Sequence, residues 1–278
     1  MRLATWNVNS VVARLPRLHE WLDEAQPDVL CLQEIKTTTE AFPESGITER
    51  GYEVAVAGEG RWNGVAVLSR IGLADVSVGF PGQPGWAAGA AEDPEADDTL
   101  FAATPDPVVE ARAVGATCGP LRVWSLYVPN GRTPDSPHYR YKLDWLAAYR
   151  SAIAAEVAAA TPFVACGDFN VAPNDDDVWD LKAFADATHV TAPERLALTA
   201  LRDLGLHDVV PRPMKYDKPF TYWDYRAGMF HKNLGMRIDL VYADETAAEA
   251  VRDAYVDREA RKGKGPSDHA PVVVDLDL

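Results

Sequence analysis

Eight short apolar segments recur along the chain, and they limit its fold more than any other feature. Each has the length and the continuous or alternating apolar composition of a β-strand. The segments are LATWNV, DVLCLQEI, YEVAVAG, GVAVLSR, LRVWSLYVP, PFVACGDFN, RIDLVYAD and PVVVDLDL. Several follow one another without room for a helix, which does not suit a simple doubly wound sheet. We therefore predict an α/β fold of the α+β type, with two mixed sheets packed face to face and helices outside them.

Three segments have helical periodicity. RLPRLHEWLDEA places Leu15, Leu18 and Leu22 on one face. Residues 139–160 form a long amphipathic segment rich in Ala and Leu. APERLALTALRDLGL carries Pro193 at its expected first helical position and is expected to end near Gly205. These segments predict the helices that cover the sheets.

The chain has 278 residues, of which 47% are hydrophobic, so it can bury a large core. We expect a single domain over residues 1–278, interrupted by a surface insertion at about 81–107 that is dense in Pro, Gly, Ala and acidic residues. No stretch approaches the roughly 18 apolar residues of a membrane span, and the first residues lack the apolar block of a signal peptide. A cytoplasmic protein is the expectation.

The formal net charge of −15 argues against a protein that coats nucleic acid non-specifically, because such binding depends on Lys and Arg. The acidic residues are concentrated in 92–98 and 174–180, whereas the C-terminal third is more basic. A locally positive face and ordinary solvated charge both remain open. Cys31, Cys118 and Cys166 lie in strand-like segments and are expected to be reduced core residues.

Polar side chains stand at the ends of the predicted strands. They are Asn7, Glu34, Tyr127, Asn130, Asp168, Asn170 and Asp239, with Asp268 and His269 just before the last strand. If neighbouring strands are roughly aligned, these groups converge at one edge of the sheets. For Asp168 and Asn170 alone, a second interpretation is open, since Asp and Asn often start turns by bonding their own backbone. On a continuing strand, both would instead point the same way, with Phe169 in the core.

This residue set indicates a particular chemistry. Carboxylates and amides with a single histidine form an oxygen-rich site that suits Mg²⁺ or Mn²⁺ better than Zn²⁺. Such a metal can neutralise a phosphoryl oxygen while a carboxylate orients or deprotonates the attacking water. The sequence has no GxSxG nucleophile motif and no Walker-type phosphate loop. A metal-dependent hydrolase is the expected function class.

Seven motifs in order resemble the exonuclease III family of bacterial DNA-repair nucleases, part of the endonuclease, exonuclease and phosphatase superfamily. They are TWNVNS, LQEIK, YVPNGR, GDFNVAP, FTYWDYR, RIDLVYA and SDHAPV, and the similarity runs from Arg2 to the C-terminus. The resemblance implies a four-layer α/β sandwich and Mg²⁺-dependent hydrolysis of DNA phosphodiester bonds, with Mn²⁺ as a substitute. It implies incision 5′ to abasic sites and 3′ to 5′ degradation of duplex DNA by an enzyme that we expect to be monomeric.

The resemblance also implies a role for each matched residue. Glu34 corresponds to the main metal ligand, with Asn7 and Asp268 close to the metal and phosphate. Asp168 corresponds to the residue that activates the water, and Asn170 to the one that orients it. The remaining matched residues are an aspartate–imidazole couple on the scissile phosphate, Asp239 and His269, and two further phosphate contacts, Tyr127 and Asn130.

A pocket for an extruded abasic sugar is implied in the same way. Tyr222 occupies its aromatic position, Met236 and Ile238 complete it, and the neighbouring Trp223 is expected in the core. Four cations, Arg132, Arg140, Lys142 and Arg237, are candidate DNA phosphate contacts or simply solvated side chains. The alternatives to a nuclease are a phosphatase of the same superfamily acting on a small molecule, a nucleic-acid-binding protein without catalysis, and a structural protein.

Overall fold

Twelve strands form two six-stranded sheets in the computed structural model, which describes residues 1–87 and 106–278. In chain order the strands are β1 (Arg2–Asn7), β2 (Val29–Gln33), β3 (Glu53–Ala57), β4 (Val65–Ser69), β5 (Ala74–Val78), β6 (Ala113–Cys118), β7 (Leu121–Tyr127), β8 (Phe163–Asp168), β9 (His207–Asp208), β10 (Asp239–Ala243), β11 (Val251–Val256) and β12 (Val272–Leu276). The strand order is β11-β12-β1-β2-β4-β3 in the first sheet and β5-β6-β7-β8-β10-β9 in the second.

Each sheet has one parallel pair at its centre, β1 with β2 and β7 with β8, and antiparallel neighbours elsewhere. The carboxyl ends of two parallel neighbours lie at the same edge of a sheet. The chain therefore leaves β1 and β2 together at one edge of the first sheet, and β7 and β8 together at one edge of the second.

The described residues form six α-helices, of which the three longest cover the outer faces of the sheets. The six are α1 (Val11–Ala25), α2 (Ser45–Thr48), α3 (Pro137–Val157), α4 (Ala192–Arg202), α5 (Met229–Lys232) and α6 (Glu245–Glu249). The apolar stripe of α1 packs on the first sheet, and α3 and α4 pack on the second. Ser136 caps α3 by accepting a hydrogen bond from the Tyr139 N–H, with Pro137 following at the first helical position. The result is the predicted four-layer α/β sandwich.

The space between the sheets is filled by small and branched side chains, which we call the intersheet core. It includes Val67, Val123 and Val164, and also all three cysteines, which are buried and free. The sequence prediction for the cysteines is therefore confirmed. Burial raises the pKa of the Cys118 thiol to about 11, as expected for a thiol in apolar surroundings.

All eight predicted strands are confirmed, but β5, β6, β9 and β11 were not predicted. The helix predicted from residue 14 begins at Val11, the one predicted over 139–160 spans Pro137–Val157, and the third ends at Arg202 rather than near Gly205. No helix in the described part of the chain is long and apolar enough to cross a membrane.

The predicted insertion is only partly described. Trp86 and Val108 pair through reciprocal backbone hydrogen bonds of 2.7 and 2.9 Å, so its two ends meet. The Trp86 ring packs against His138 and Tyr141 of α3. The centre of the insertion, residues 88–105, lies outside the described residues.

Candidate active site

Groups from both sheets meet at one edge of the sandwich. Tyr127, Asp168 and Asp239 are aligned across β7, β8 and β10, since each is paired in register with the next. Asn7 ends β1 in the other sheet, and Glu34 follows β2. The structure thus brings together the predicted strand ends, and the assembled site spans the two sheets.

Asn7 links the two carboxylates of the site. Its Nδ2 atom donates to Oε1 of Glu34 at 2.8 Å and to Oδ2 of Asp168 at 2.9 Å. Its Oδ1 atom accepts the Asn9 N–H at 3.0 Å. In this arrangement Asn7 acts as a hydrogen-bond donor to both carboxylates, while its oxygen accepts one backbone N–H.

Asp168 bonds its own backbone as well as facing the site. Its Oδ1 atom accepts the Asn170 N–H at 2.9 Å, and Asn170 has a left-handed φ of 52°. The strand therefore ends at Asp168, and the prediction of a continuing strand through Asn170 is wrong, because the turn interpretation applies. Phe169 is buried as expected. The Asn170 amide is held instead by Asn130, whose Nδ2 donates to its Oδ1 at 3.1 Å.

The electrostatics of Asp168 favour a proton acceptor near neutral pH. Burial, with additional repulsion from Asp239 and Glu34, raises the pKa of Asp168 to about 7, against the opposing effect of His269. A carboxyl group in this range can accept a proton from water more readily than an exposed carboxylate can.

His269 and Asp239 form a buried pair. The Nδ1 atom of His269 lies 2.8 Å from Oδ2 of Asp239, and its Nε2 atom lies 3.9 Å from Oδ2 of Asp168. Burial opposes the positive charge of the ring, but the Asp239 carboxylate outweighs it and raises the pKa of His269 to about 10. The imidazole is therefore a charged donor whose free N–H points into the site.

Glu34 is held by two residues outside the predicted site residues, Lys36 and Asn9. Lys36 forms an ion pair with Glu34 at 2.8 Å and donates to Oδ1 of Asn9 at 2.6 Å. Asn9 in turn donates to Oδ1 of Asp268 at 3.0 Å, which ties Asp268 to the cluster. Glu34, Lys36 and Asn9 all have left-handed φ values, between 44° and 51°. Such strain persists where surrounding contacts fix it, and it has no signature in the amino-acid sequence.

The donor set fits a hard divalent cation. Single ligand atoms of Glu34, Asp168 and His269 all lie within 4.8 Å of one another. The two carboxylates suit Mg²⁺ or Mn²⁺. His269 is already paired with Asp239 and carries a proton, and the raised pKa of Asp168 suits a proton acceptor, so Glu34 is the best candidate to hold the metal. Asp268, which the sequence placed near the metal, lies outside the close group of Glu34, Asp168 and His269.

Tyr127 borders the carboxylates as a neutral phenol. Burial, together with the nearby Glu34 carboxylate, raises the pKa of Tyr127 well above its ordinary value. The Arg112 guanidinium lies over its ring, 4.8 Å from the centroid. Tyr127 is therefore a hydrogen-bond donor at neutral pH.

An apolar cluster lies beside this charged site. Tyr222 exchanges backbone hydrogen bonds with Met236, and its ring lies 4.9 Å from that of His269. Met236 and Ile238 are buried, and Tyr222 packs on them. We call this group, with Ala172 and Val178, the pocket cluster. Trp223 is fully buried, as predicted.

The structure separates the four candidate phosphate contacts into two kinds. Arg132 and Arg140 are exposed. Lys142 and Arg237 are buried, and their proposed contact with DNA is wrong, because internal acidic groups already pair with them. Arg237 bridges Asp177 and Asp208, and the Lys142 ammonium pairs with Glu194.

An exposed aromatic side chain at the rim was also missed. Trp62 is 65% exposed, with the Arg61 guanidinium 5.4 Å from its ring centroid. The following residues, Asn63 and Gly64, accept the backbone N–H groups of Lys36 and Ile35 at 3.0 and 3.1 Å. The loop that carries Trp62 therefore lies directly beside the Glu34 segment.

Comparisons with known proteins show which proteins the chain resembles in sequence and fold. A family model described as the Endonuclease/Exonuclease/phosphatase family matches residues 4–269. The exodeoxyribonuclease III of Haemophilus influenzae is 28% identical over 98% of both chains. A 3′ phosphatase from Neisseria, solved with a product DNA hairpin, is 34% identical, with a TM-score of 0.87 over 100% of both chains. An AP endonuclease from Archaeoglobus fulgidus is 33% identical, with a TM-score of 0.87 and the same coverage.

Proposed function

We propose, since the chain belongs to the endonuclease/exonuclease/phosphatase family and to its exonuclease III group, that it is a DNA-repair nuclease dependent on Mg²⁺. It incises DNA 5′ to abasic sites and removes nucleotides 3′ to 5′ from duplex ends. One observation carries the proposal. The pocket cluster lies directly beside His269, the proposed phosphate contact, because Tyr222 contacts both Met236 and His269.

Each polar group has a defined task in this reaction. Asp168 accepts a proton from the water, whose oxygen attacks the phosphorus, and Asn170 orients that water. The bond from phosphorus to the 3′ oxygen breaks, and that oxygen takes a proton from solvent water, which leaves a 3′ hydroxyl. The charged His269 donates from Nε2 to a non-bridging phosphate oxygen. Tyr127 and Asn130 hold the same phosphate.

Glu34 is the residue that would hold the metal ion, beside Asp168, and Asp268 is tied to Glu34 through Asn9 and Lys36. A divalent cation bound there would neutralise charge on the phosphate and stabilise the departing oxygen. Asn7 keeps the two carboxylates at a fixed separation by donating to both.

The pocket cluster supplies the preference for damaged DNA. Extruding a nucleotide from a duplex costs a few kcal/mol and is easiest where the base is missing. Tyr222 is the partly exposed member of the cluster and packs on buried Met236 and Ile238, so its ring is the apolar surface that a base-free sugar would meet. Arg132 and Arg140 are exposed and supply candidate contacts to the DNA backbone.

The deciding experiment uses an end-blocked duplex with one abasic-site analogue, incubated with Mg²⁺, with Mn²⁺ or with EDTA. An intact duplex with a free 3′ end is run beside it. We expect metal-dependent incision at the lesion and metal-dependent shortening of the free end. Absence of cleavage of both substrates with either metal would overturn the proposal and favour a phosphatase that acts on a small molecule.

A second candidate activity is removal of a phosphate from a DNA 3′ end. It is favoured by the similarity to the Neisseria 3′ phosphatase and needs the same phosphate-handling residues. A duplex ending in a 3′ phosphate, added to the same assay, measures it directly as release of inorganic phosphate.

A further inference from the structure

Lys142 and Glu194 form an ion pair with no exposed side-chain surface, directly behind the candidate active site. Lys142 lies in the second turn of α3, and Glu194 lies in the first turn of α4. Neither has a task in the proposed reaction. A buried ion pair is often no more stabilising than apolar side chains of the same volume, so stability alone does not account for it.

The acceptors of the Lys142 ammonium are informative. Besides Glu194, its Nζ atom donates to the backbone oxygen of Asn170 at 2.7 Å, to that of Asn130 at 3.1 Å and to Oγ1 of Thr188 at 3.2 Å. An ammonium has three hydrogens, so these four acceptors use its full donor capacity, and one hydrogen is shared between two of them. The single cation is therefore attached to both asparagines that the proposed reaction uses.

The Glu194 carboxylate is also held by several hydrogen bonds besides its ion pair with Lys142. Its carboxylate accepts the Thr188 hydroxyl at 2.6 Å, the His189 N–H at 3.0 Å and both the N–H and the hydroxyl of Thr191. Burial opposes ionisation, but Lys142 outweighs it and lowers the pKa of Glu194 below its ordinary value. The carboxylate thus anchors the ammonium to the start of α4.

Hydrogen bonds connect the two asparagines to each other and to Asp168. The Asn130 side chain donates to Asn170 at 3.1 Å, and the Asn170 side chain donates to the Val128 carbonyl at 3.0 Å. The Asn170 N–H is bonded to Asp168. A Cβ atom at Gly131 would lie 2.7 Å from Oγ1 of Thr188 and 3.1 Å from Cδ of Lys142, so this layer is closely packed.

We propose that the Lys142–Glu194 pair is a positioning device that sets the orientation of Asn130 and Asn170, and through Asn170 that of Asp168. The inference rests on the proposed function for the tasks of these three residues. Apolar side chains at 142 and 194 could fill the space, but they could not bind two backbone carbonyl groups.

The test compares two matched double variants. Lys142→Met with Glu194→Gln removes the pair behind the site. Arg122→Met with Glu156→Gln removes a different ion pair, which has an N–O distance of 3.0 Å. It joins Arg122 at the start of β7 to Glu156 at the C-terminal end of α3. Both should lower the thermal midpoint, whereas only the first should change the site.

The first readout is independent of activity. The side-chain amide resonances of Asn130 and Asn170, assigned with Asn130→Asp and Asn170→Asp, should shift or broaden in the first double variant and stay in place in the second. Unchanged amide resonances in the first variant would overturn the inference. Because no cleavage is needed, this result stands even if the protein fails to cut DNA and the proposed function is lost.

The second readout separates kcat from KM on the abasic duplex. A loss of alignment should lower kcat about 100-fold with KM nearly unchanged, whereas the control pair should retain wild-type kcat. Equal kcat values in the two double variants would contradict the inference. If the first variant does not fold, Thr188→Val serves instead, since it removes one acceptor of Lys142 and one donor to Glu194; a kcat equal to wild type would then count against the proposal.

Discussion

The Nδ1 atom of His269 lies 2.8 Å from Oδ2 of Asp239, and this contact turns the opposite nitrogen of the ring toward Asp168. The other oxygen of Asp239, Oδ1, is buried and has no hydrogen-bond partner among the described residues. The carboxylate is thus committed to the imidazole, and the charge of the ring depends on it.

Replacement of Asp239 should therefore abolish the charged donor. We expect Asp239→Asn to lower kcat about 100-fold or more, with a smaller change in KM, because the ring loses both its charge and its orientation. Steady-state kinetics on the abasic duplex measure this. The control is Asp244→Asn at the other end of β10, where Asp244 only caps α6. Similar kinetics for the two variants would remove Asp239 from the mechanism.

Glu34 should dominate metal binding. Glu34→Gln is expected to weaken Mn²⁺ affinity by more than about tenfold, measured by calorimetry without DNA, because it replaces a charged oxygen ligand with a neutral amide. Asp268→Asn should have a smaller effect, since Asp268 lies outside the close group of three. Glu259→Gln, on an exposed residue that pairs with Lys262, is the control. A larger loss for Asp268→Asn would reverse the assignment.

Tyr222 should govern the preference for abasic sites. Tyr222→Ala removes the aromatic wall and should lower kcat/KM for the abasic duplex about tenfold or more, with a smaller effect on the intact duplex. Tyr222→Phe keeps the ring and should keep the preference. The ratio of the two rates is the measurement, and an unchanged ratio in Tyr222→Ala would exclude the pocket role.

Trp62 should contact DNA at the rim of the site. Trp62→Ala is expected to raise the Kd for duplex DNA roughly tenfold, since stacking of a base on an aromatic ring contributes about 1–3 kcal/mol. Fluorescence anisotropy in EDTA measures binding without cleavage. Leu278→Ala alters an exposed residue beyond β12, at the sheet edge opposite Asn7, and should leave Kd unchanged. Equal Kd values for the two variants would show that Trp62 does not bind.

The Glu110 carboxylate should make stability depend on acid pH. It accepts hydrogen bonds from Arg112 at 2.6 Å, Tyr141 at 2.9 Å and Asn63 at 3.0 Å. Burial opposes its ionisation, but Arg112 outweighs burial and lowers the pKa of Glu110. Its folded-state pKa thus lies below the unfolded value, so its contribution is present above the unfolded pKa and is lost as pH falls through the folded pKa.

Glu110→Gln should accordingly lower the thermal midpoint at pH 7, with the gap to wild type narrowing below about pH 4.3, where an unperturbed Glu is half protonated. Thermal unfolding between pH 3 and pH 7 measures the gap. Glu53→Gln, on an exposed residue of β3, should follow wild type throughout. A constant gap for Glu110→Gln would mean that its charge does not contribute.

Periodicity identified the central strands because their continuous apolar runs, such as that of β8, are distinctive. It missed β11, an edge strand with only two buried residues, and β6, whose Ala and Gly residues have little strand preference. The strand-end pattern indicated which polar residues assemble, since chain direction places them at one edge. What it could not reveal is how their backbones turn, as the left-handed φ of Glu34 illustrates.

Charged side chains were the least predictable part. Lys142 lies in an amphipathic helix, and its positive charge is typical of a residue that contacts DNA. Its ammonium is nevertheless buried, because it forms an ion pair with Glu194, which lies 52 residues further along the chain. Arg237 is also buried, because it forms ion pairs with Asp177 and Asp208, which come from separate segments of the chain. Only the tertiary fold determines whether such a cation faces solvent or a buried partner.

The intersheet core also determines the distance between the two halves of the candidate active site. Asn7 belongs to one sheet and Asp168 to the other, so the hydrogen bond between them depends on the width of the gap that Val67, Val123 and Cys166 fill. A methylene added to or removed from that filling moves one half of the site against the other, although it touches no reacting group. In this architecture the volume of apolar side chains sets the spacing at which the catalytic groups operate.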